Sequence, residues 1–332
     1  MCHTELSSRQ KALYFYLMQN TFISIDLGGT KCAGAVITES GKILYKLKDK
    51  ISGLEGDEVG FAIHSIILQL KEKLPPGHSV QGVGISIPGI SNQKNGTVWA
   101  PNITGWDHYP LLAYLEDKLE SEMVIHIDSD RACCICGEVW QGVAKGYKNA
   151  IFLAFGTGIG AGILIDNRIL RGNSDIAGSI GWLALDHHYP EGYRDFGCFE
   201  YNASGDGLVR LAFDIFNKNK PDTRLNISDL KAEDIFAAHK LKDPLAQATI
   251  DVAIDYWAKG VANLVSIFNP EIIIFGGGVF GPGLKFLDQI YERSKKWAQP
   301  IAIQEVKLAG GQLGVDAQLL GAARLVMDKL ID

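Results

Sequence analysis

The sequence predicts an α/β protein of two domains built on one repeated unit. Two segments share a pattern of apolar run, glycine turn and apolar run: Phe22-Ile-Ser-Ile-Asp-Leu-Gly-Gly-Thr-Lys31 and Ile151-Phe-Leu-Ala-Phe-Gly-Thr-Gly-Ile-Gly160, about 130 residues apart. After each of them, strand-like runs alternate with helical periodicity. The chain also has 332 residues, 47% of them hydrophobic, enough for two sizeable cores.

The first half reads as a strand at 22–26, a glycine turn, a strand at 32–38, a turn at Ser40-Gly41 and a strand at 42–50. A helix near 57–74 follows, with Phe61, Ile63, Ile66, Ile67 and Leu70 on its apolar side, stopped by Pro75-Pro76-Gly77. Val80 to Ile87 is a buried strand ending at Pro88-Gly89, a helix near 110–121 leads to a strand at 123–127, and Asp130 to Trp140 is helical. The second half restarts with strands at 150–155, 159–165 and 168–170. A mostly helical stretch covers 204–268, its last part a long helix from Pro244 to Phe268 stopped at Asn269-Pro270. Ile272 to Phe275 is an apolar strand entering Gly276-Gly277-Gly278. A helix near 282–297, a strand at 301–307 and a helix near 316–330, opened by Asp316 as N-cap, complete the chain. A short helix is also expected at Arg9 to Met18, ahead of the first strand.

The net charge of −6 and the scattered Lys and Arg residues offer no footprint for nucleic acid. No apolar run reaches bilayer length, and Thr4 to Gln10 lack the charge pattern of a signal peptide. Cys133, Cys134 and Cys136 crowd one helix, with Cys2, Cys32 and Cys198 elsewhere. This is no disulfide framework and suits a reducing cytoplasm; small thiols within a helix read as packing residues rather than metal ligands.

Glycine turns between strands let backbone N–H groups approach an anion, so Gly28-Gly29-Thr30 and Gly156-Thr157-Gly158 are candidate phosphate sites. Asp26 stands at the mouth of the first turn. A carboxylate there would repel phosphate unless a cation such as Mg²⁺ lies between, with Lys31 adding charge; the alternative is a simple turn cap. Gly276 and Gly277 form a third turn against which a nucleotide could lie. Asp130 follows a strand and opens a helix. It or Ser129 could be an N-cap, or Asp130 could be the base that deprotonates an attacking hydroxyl.

These motifs together resemble the ROK family of repressors, open reading frames and sugar kinases, within the actin-like, hexokinase-type ATPase superfamily. Ile25-Asp-Leu-Gly-Gly-Thr-Lys31 and Phe155-Gly-Thr-Gly-Ile-Gly-Ala-Gly162 are similar to its phosphate motifs. Gly84-Ile-Ser-Ile-Pro-Gly89 and Ala100-Pro-Asn-Ile-Thr-Gly-Trp106 resemble its sugar-side loops, and Gly197-Cys-Phe-Glu-Tyr-Asn-Ala-Ser-Gly205 resembles the stretch carrying a sugar-binding glutamate. Asn269 to Gly278 and Leu313 to Ala323 match its C-terminal pattern. The resemblance implies two actin-like (ribonuclease H-like) domains around a central cleft, each with a mixed five-stranded sheet flanked by helices. It places an extension at 1–20, domains at 21–130 and 131–314, and a C-terminal helix at 315–332 that packs back on the first domain.

The activity it implies is transfer of the ATP γ-phosphate to a hexose hydroxyl, the 6-OH of glucose or a related hexose. Asp130 is then the base. Asp26 orients Mg²⁺ and phosphate, and Gly28, Gly29, Thr30, Lys31, Gly156, Thr157, Gly158, Gly276 and Gly277 bind nucleotide. Gly89, Asn102, Ser129, Ser179, Trp182 and Glu200 lie at the sugar. A homodimer or tetramer is implied as well.

The chain departs from the family on the sugar side. Ser129 stands where Asn is usual, and Ala177-Gly-Ser-Ile-Gly-Trp182 puts Ser179 and Trp182 in place of a Glu and a zinc-binding His. Of the family's four zinc ligands only Cys198 is kept, with Glu191 and Tyr193 near the places of two others, so no structural zinc is expected. Trp182 either stacks on a sugar or fills the space of the lost zinc loop. N-acylhexosamine, fructose and polyphosphate remain open as alternative substrates, as does a non-catalytic sugar-binding protein. A repressor is disfavoured because only about 20 residues precede the first motif, too few for a helix-turn-helix module.

Overall fold

The computed structural model describes residues 19–119 and 123–331. The helix expected at Arg9 to Met18 lies outside them. The chain divides into two compact units: one runs to Trp140 and takes back the chain from Val315, and the other is Gln141–Gly314.

In the first unit, β1 (Gln19–Leu27), β2 (Lys31–Thr38) and β3 (Ile43–Lys50) form an antiparallel meander. The chain continues through α1 (Asp57–Glu72), β4 (His78–Ile87), the short β5 (Ile90–Ser91) and β6 (Val98–Trp99), α2 (Leu111–Leu119), β7 (Val124–Ser129) and α3 (Asp130–Gln141). The five-stranded sheet has the order β3-β2-β1-β4-β7, with β4 and β7 parallel to β1. Helix α1 buries Val59, Ile63, Ile66, Ile67 and Leu70 on one stripe, with Asp57 and Glu58 at its positive N-terminal end.

The second unit repeats the order. β8 (Ala150–Phe155), β9 (Ile159–Ile165) and β10 (Arg168–Ile169) form the meander. The helices α4 (Tyr193–Phe196), α5 (Cys198–Ala203), α6 (Gly205–Asn219), α7 (Ala232–Lys240) and α8 (Pro244–Phe268) come next. Then follow β11 (Ile272–Gly276), α9 (Leu287–Ser294), α10 (Ala302–Glu305) and β12 (Lys307–Gly310), giving the sheet order β10-β9-β8-β11-β12. Helix α8 is 25 residues long because both ends are specified. Asp243 accepts the Ala246 N–H at 3.1 Å, Pro244 opens the first turn, and Asn269 ends it in the left-handed conformation with Pro270 behind. Trp257 on its buried face meets the rings of Phe155 and Phe280, and Phe155 in turn stacks on Phe275.

The last helix, α11 (Ala317–Ile331), lies on β1, β4 and β7 of the first unit. Small residues let it approach the sheet closely. A Cβ at Gly84 would stand 2.0 Å from Ala322 O, and one at Gly321 would stand 1.7 Å from Cys133 O. Ser24 Oγ on β1 donates to Leu319 O at 2.7 Å, so a buried hydroxyl is satisfied by the helix backbone. Gly84, read above within a sugar-side motif, therefore serves helix packing.

Two local expectations are corrected. Residues 301–307 are not one strand: Ala302–Glu305 form a helical turn, and the strand is Lys307–Gly310. The Gln299 side-chain carbonyl accepts from the N–H groups of Ile301 (2.8 Å) and Ala302 (2.7 Å), which starts a turn where the apolar alternation suggested a strand. Asp316 closes a short 3₁₀ turn, Gly314–Asp316, ahead of α11, and its carboxylate binds the Lys46 ammonium on β3.

Candidate active site

The parallel strands β1, β4 and β7 all end at one edge of the first sheet, where ligands of open α/β sheets collect. The register there builds one row of residues across all five strands. Asp26 on β1 pairs with Ala33, which pairs with Lys48 on β3; on its other side Asp26 pairs with Ser86 on β4, which pairs with Asp128 on β7. Burial and the nearby Asp130 carboxylate push the Asp26 carboxyl up from 3.8 to about 6, against the pull of Ser86 and Lys48. The Ser86 side chain is fully buried.

Asp130 opens α3. Burial raises its carboxyl, against the opposing effect of Arg131 and the backbone N–H groups. Oδ1 accepts the Arg131 N–H at 2.8 Å and faces Arg131 Nε at 3.7 Å. The N-cap role belongs to Ser129, whose Oγ accepts from Ala132 N at 3.3 Å. One turn along α3, the Cys134 thiol is kept protonated by burial and by both carboxylates. Cys133 and Cys136 are buried in the same helix.

The turn beside Asp26 is closed by Gly28 N–H donating to Lys31 O at 2.8 Å. Gly28 thus spends its amide on the turn, while Gly29, Thr30 and Lys31 are exposed. Asn102 comes to this turn, its Cβ 3.7 Å from the Cβ position of Gly29. The Asn102 loop is held by buried Trp106, which donates to Gly56 O at 3.0 Å and stacks on Tyr109 with centroids 4.7 Å apart. Gly89 packs against the same loop, where a Cβ would stand 2.1 Å from Trp99 O. Asp26, Gly29, Thr30, Lys31 and Asn102 thus come together around one turn, with Ser129 ending β7 on the far side of β4 and Asp130 opening the helix after it.

In the second unit, Gly156 N–H donates to Gly158 O at 2.9 Å and closes the matching turn, leaving Thr157 exposed. Beside it lies a cavity of about 550 Å³ bounded by Gly156, Thr157, Arg210, Phe236, Gly278 and Val279. Of the third glycine turn, only Gly278 reaches this cavity. Gly276 lies under the Phe152 ring, and Gly277 has φ +84° against the Phe155 carbonyl. Both are glycines for packing and backbone geometry. The cavity wall also includes Asp206, Val209 and Lys231, which the sequence reading did not name. The Arg210 guanidinium lies over the rings of Phe196 (4.7 Å) and Tyr201 (4.9 Å).

Glu200 on α5 reaches back to the turn. Its Oε2 accepts the Ile159 N–H at 2.7 Å, and burial raises its carboxyl against the effect of that N–H and of Arg210. The Ser179 hydroxyl donates to Ile176 O at 2.9 Å. Trp182 is 58% exposed in the turn Ile180–Trp182, so it does not fill a vacated core.

The segment where the resemblance implied zinc in other members is tied by hydrogen bonds. The Asp186 carboxylate accepts from the hydroxyls of Tyr193 and Tyr256, the latter at 2.7 Å. Asn202 Nδ2 donates to Tyr193 Oη at 2.8 Å, and Cys198 Sγ accepts the Leu185 N–H at 3.4 Å. Burial raises the Cys198 thiol, the opposite of what a thiolate ligand needs. Among the described residues no group of three or more His, Cys, Asp or Glu is placed to share a metal ion. The donor set does not fit zinc.

Paired five-stranded units, each with a glycine turn after its first strand, define the actin-like ATPase fold. The chain belongs to the ROK family, whose model matches residues 22–329. It is 33% identical over 325 residues to a glucokinase of Streptomyces coelicolor, covering 92% of this chain and 97% of that one. It is 28% identical over 287 residues to an N-acetyl-D-glucosamine kinase of Yersinia pseudotuberculosis, covering 83% and 88%. Among solved structures, it matches a ROK family glucokinase of Streptomyces griseus in complex with glucose and AMPPNP. That match has TM-score 0.71 and 29% identity, and covers 93% of this chain and 99% of that one. The chain is a sugar phosphotransferase. No helix among the described residues is long and apolar enough to cross a membrane.

Proposed function

We propose that the chain is an ATP-dependent hexose kinase acting on the 6-hydroxyl of glucose or a closely related sugar, with Asp130 as general base. The observation that carries this is the meeting of Asp26 and Asp130 at one sheet edge, each carboxyl raised by its surroundings. A raised carboxyl is a stronger base than a solvated one.

The Asp130 carboxylate takes the proton of the sugar hydroxyl as the hydroxyl oxygen attacks the γ-phosphorus. The bond from phosphorus to the β,γ-bridging oxygen breaks, ADP leaves, and the proton passes from Asp130 to solvent. Arg131 holds Oδ1. The exposed turn at Gly29 and Thr30 is a phosphate contact in this reading, as its motif implies, and so is the turn at Thr157 and Gly158. Asn102 and Glu200 bind sugar hydroxyls, and Ser129 supports Asp130 through the helix start.

Asp26, whose raised carboxyl shows a charge that Ser86 and Lys48 do not offset, offers the hard oxygen donors that suit Mg²⁺ carried by ATP. Bound there, the ion supplies neutralisation of phosphate charge. The cavity at Gly278 favours a nucleotide over polyphosphate. Val209, Phe236 and Val279 give it an apolar wall that a nucleobase can use and an inorganic chain cannot.

ADP release from purified protein, screened over hexoses, N-acylhexosamines and fructose with ATP and with polyphosphate as donor, tests this reading. Turnover of glucose or a near relative with ATP supports it. No turnover with any sugar would overturn it in favour of a binding protein.

A further inference from the structure

Glu200 sits against two glycines, Gly158 in the first turn of the unit and Gly181 in the turn Ile180–Trp182. A Cβ at Gly158 would stand 2.7 Å from Glu200 Oε2, and a Cβ at Gly181 would stand 3.0 Å from it. Oε2 also accepts the N–H of Ile159, the residue that follows the phosphate turn, at 2.7 Å. Five residues on, at the start of α6, Gly205 N–H donates to Gly156 O at 2.8 Å. The short stretch from Glu200 to Gly205 therefore grips the turn 156–158 at both of its ends. The stretch is itself fixed: Trp257 Nε1 donates to Ala203 O at 3.0 Å, and the fully buried Ser204 caps α6 through Gly207 N at 2.9 Å.

We infer that Glu200 is a positioning residue for the phosphate turn, in addition to the sugar contact that its motif implies. Oε2 holds the backbone at Ile159, which sets the direction of the Thr157 and Gly158 amides. Oε1 is left for a sugar hydroxyl. One carboxylate thus serves the donor side through the backbone and the acceptor side directly. The inference rests on the reading of 156–158 as a nucleotide-phosphate site.

Affinity for AMPPNP, measured by titration calorimetry without sugar, separates this role from a sugar contact. In Glu200→Gln the amide oxygen still accepts the Ile159 N–H, so AMPPNP affinity should stay within about twofold of the unsubstituted chain while sugar KM rises. In Glu200→Ala the anchor is gone, and sugar-free AMPPNP affinity should fall about tenfold. Glu200→Asp keeps the charge but is too short to reach, and should behave like Glu200→Ala; it serves if the alanine variant does not fold by circular dichroism. Hydrogen exchange over residues 155–160 should quicken in the alanine and aspartate variants and not in the glutamine variant.

Unchanged sugar-free AMPPNP affinity in Glu200→Ala, or in Glu200→Asp where that variant stands in, would overturn the inference. So would equal losses in Glu200→Gln and Glu200→Ala. Failure of the unsubstituted chain to bind AMPPNP would overturn the kinase reading instead, and the exchange measurement would still report whether Glu200 holds the turn.

Discussion

The Asp130 carboxylate, at the head of α3, acts with burial to lift the Asp26 carboxyl at the end of β1 to about 6. Two acids placed this way resist sharing full ionisation, and a cation or a transferred proton relieves the strain between them. The pairing follows from the topology. β1 and β7 flank β4, so their ends deliver both acids to one sheet edge.

The first prediction concerns pH and activity. In the free enzyme Asp26 must lose its proton before it can take a cation, so kcat/KM should fall as pH drops through about 6. A profile of kcat/KM for MgATP against pH, with no magnesium beyond that bound to ATP, checks this. An acid limb centred near pH 4 would mean that Asp26 is not the titrating group.

The same shift predicts stability. The folded chain holds the Asp26 proton more tightly than the unfolded chain, whose carboxyl titrates near 3.8. The stabilising contribution is complete below pH 3.8 and is lost as pH rises through about 6. Asp26→Asn, neutral throughout, should therefore be more stable than the unsubstituted chain at pH 7.5, by up to about 3 kcal/mol. The gain should shrink toward pH 4. Thermal unfolding of both proteins at pH 4 and pH 7.5, without ligand, gives the comparison.

Neighbouring glycines in the third turn should respond oppositely. A side chain at Gly278 meets nothing within 4 Å and enters the cavity beside the phosphate turn. Gly278→Val should raise KM for ATP severalfold, leave KM for sugar unchanged, and cost less than about 0.5 kcal/mol of stability. Gly277→Ala must put a Cβ 2.3 Å from Phe155 O at φ +84°, and should cost about 1–3 kcal/mol. Steady-state kinetics and melting curves separate the two effects.

The Asp186 knot predicts metal-free rigidity. Tyr256→Phe removes one hydroxyl from a carboxylate that keeps its second donor, Tyr193, and should cost about 1–2 kcal/mol. Dialysis against a zinc chelator should leave the melting temperature of the unsubstituted chain unchanged. A melting temperature that falls with chelator and recovers with zinc would contradict the hydrogen-bonded account.

Much of this architecture was legible from local pattern. The strands 150–155 and 159–165 and the helix from Pro244 to Phe268 carry their own boundaries in turn glycines, a proline and an N-cap, and they form as read. What stayed hidden depends on long-range register or on side-chain hydrogen bonds. Lys48 and Ser86 join Asp26 only because three strand pairings align them in one row. The helical turn at Ala302–Glu305 depends on where the Gln299 side chain points. The cavity residues Asp206 and Arg210 on α6 and Lys231 just before α7 are joined by no motif, although Ser204 followed by Gly-Asp-Gly is the pattern of a capped helix start. The motif carrying Glu200 pointed to a sugar contact, and nothing in it pointed to the N–H of Ile159.

The central claim is tested most directly by Asp130→Asn, assayed for sugar-dependent ADP release alongside AMPPNP binding. Loss of turnover by about 10²–10⁴-fold, with nucleotide affinity and melting temperature retained, is the expected result. Turnover within a few fold of the unsubstituted enzyme would contradict Asp130 as the base.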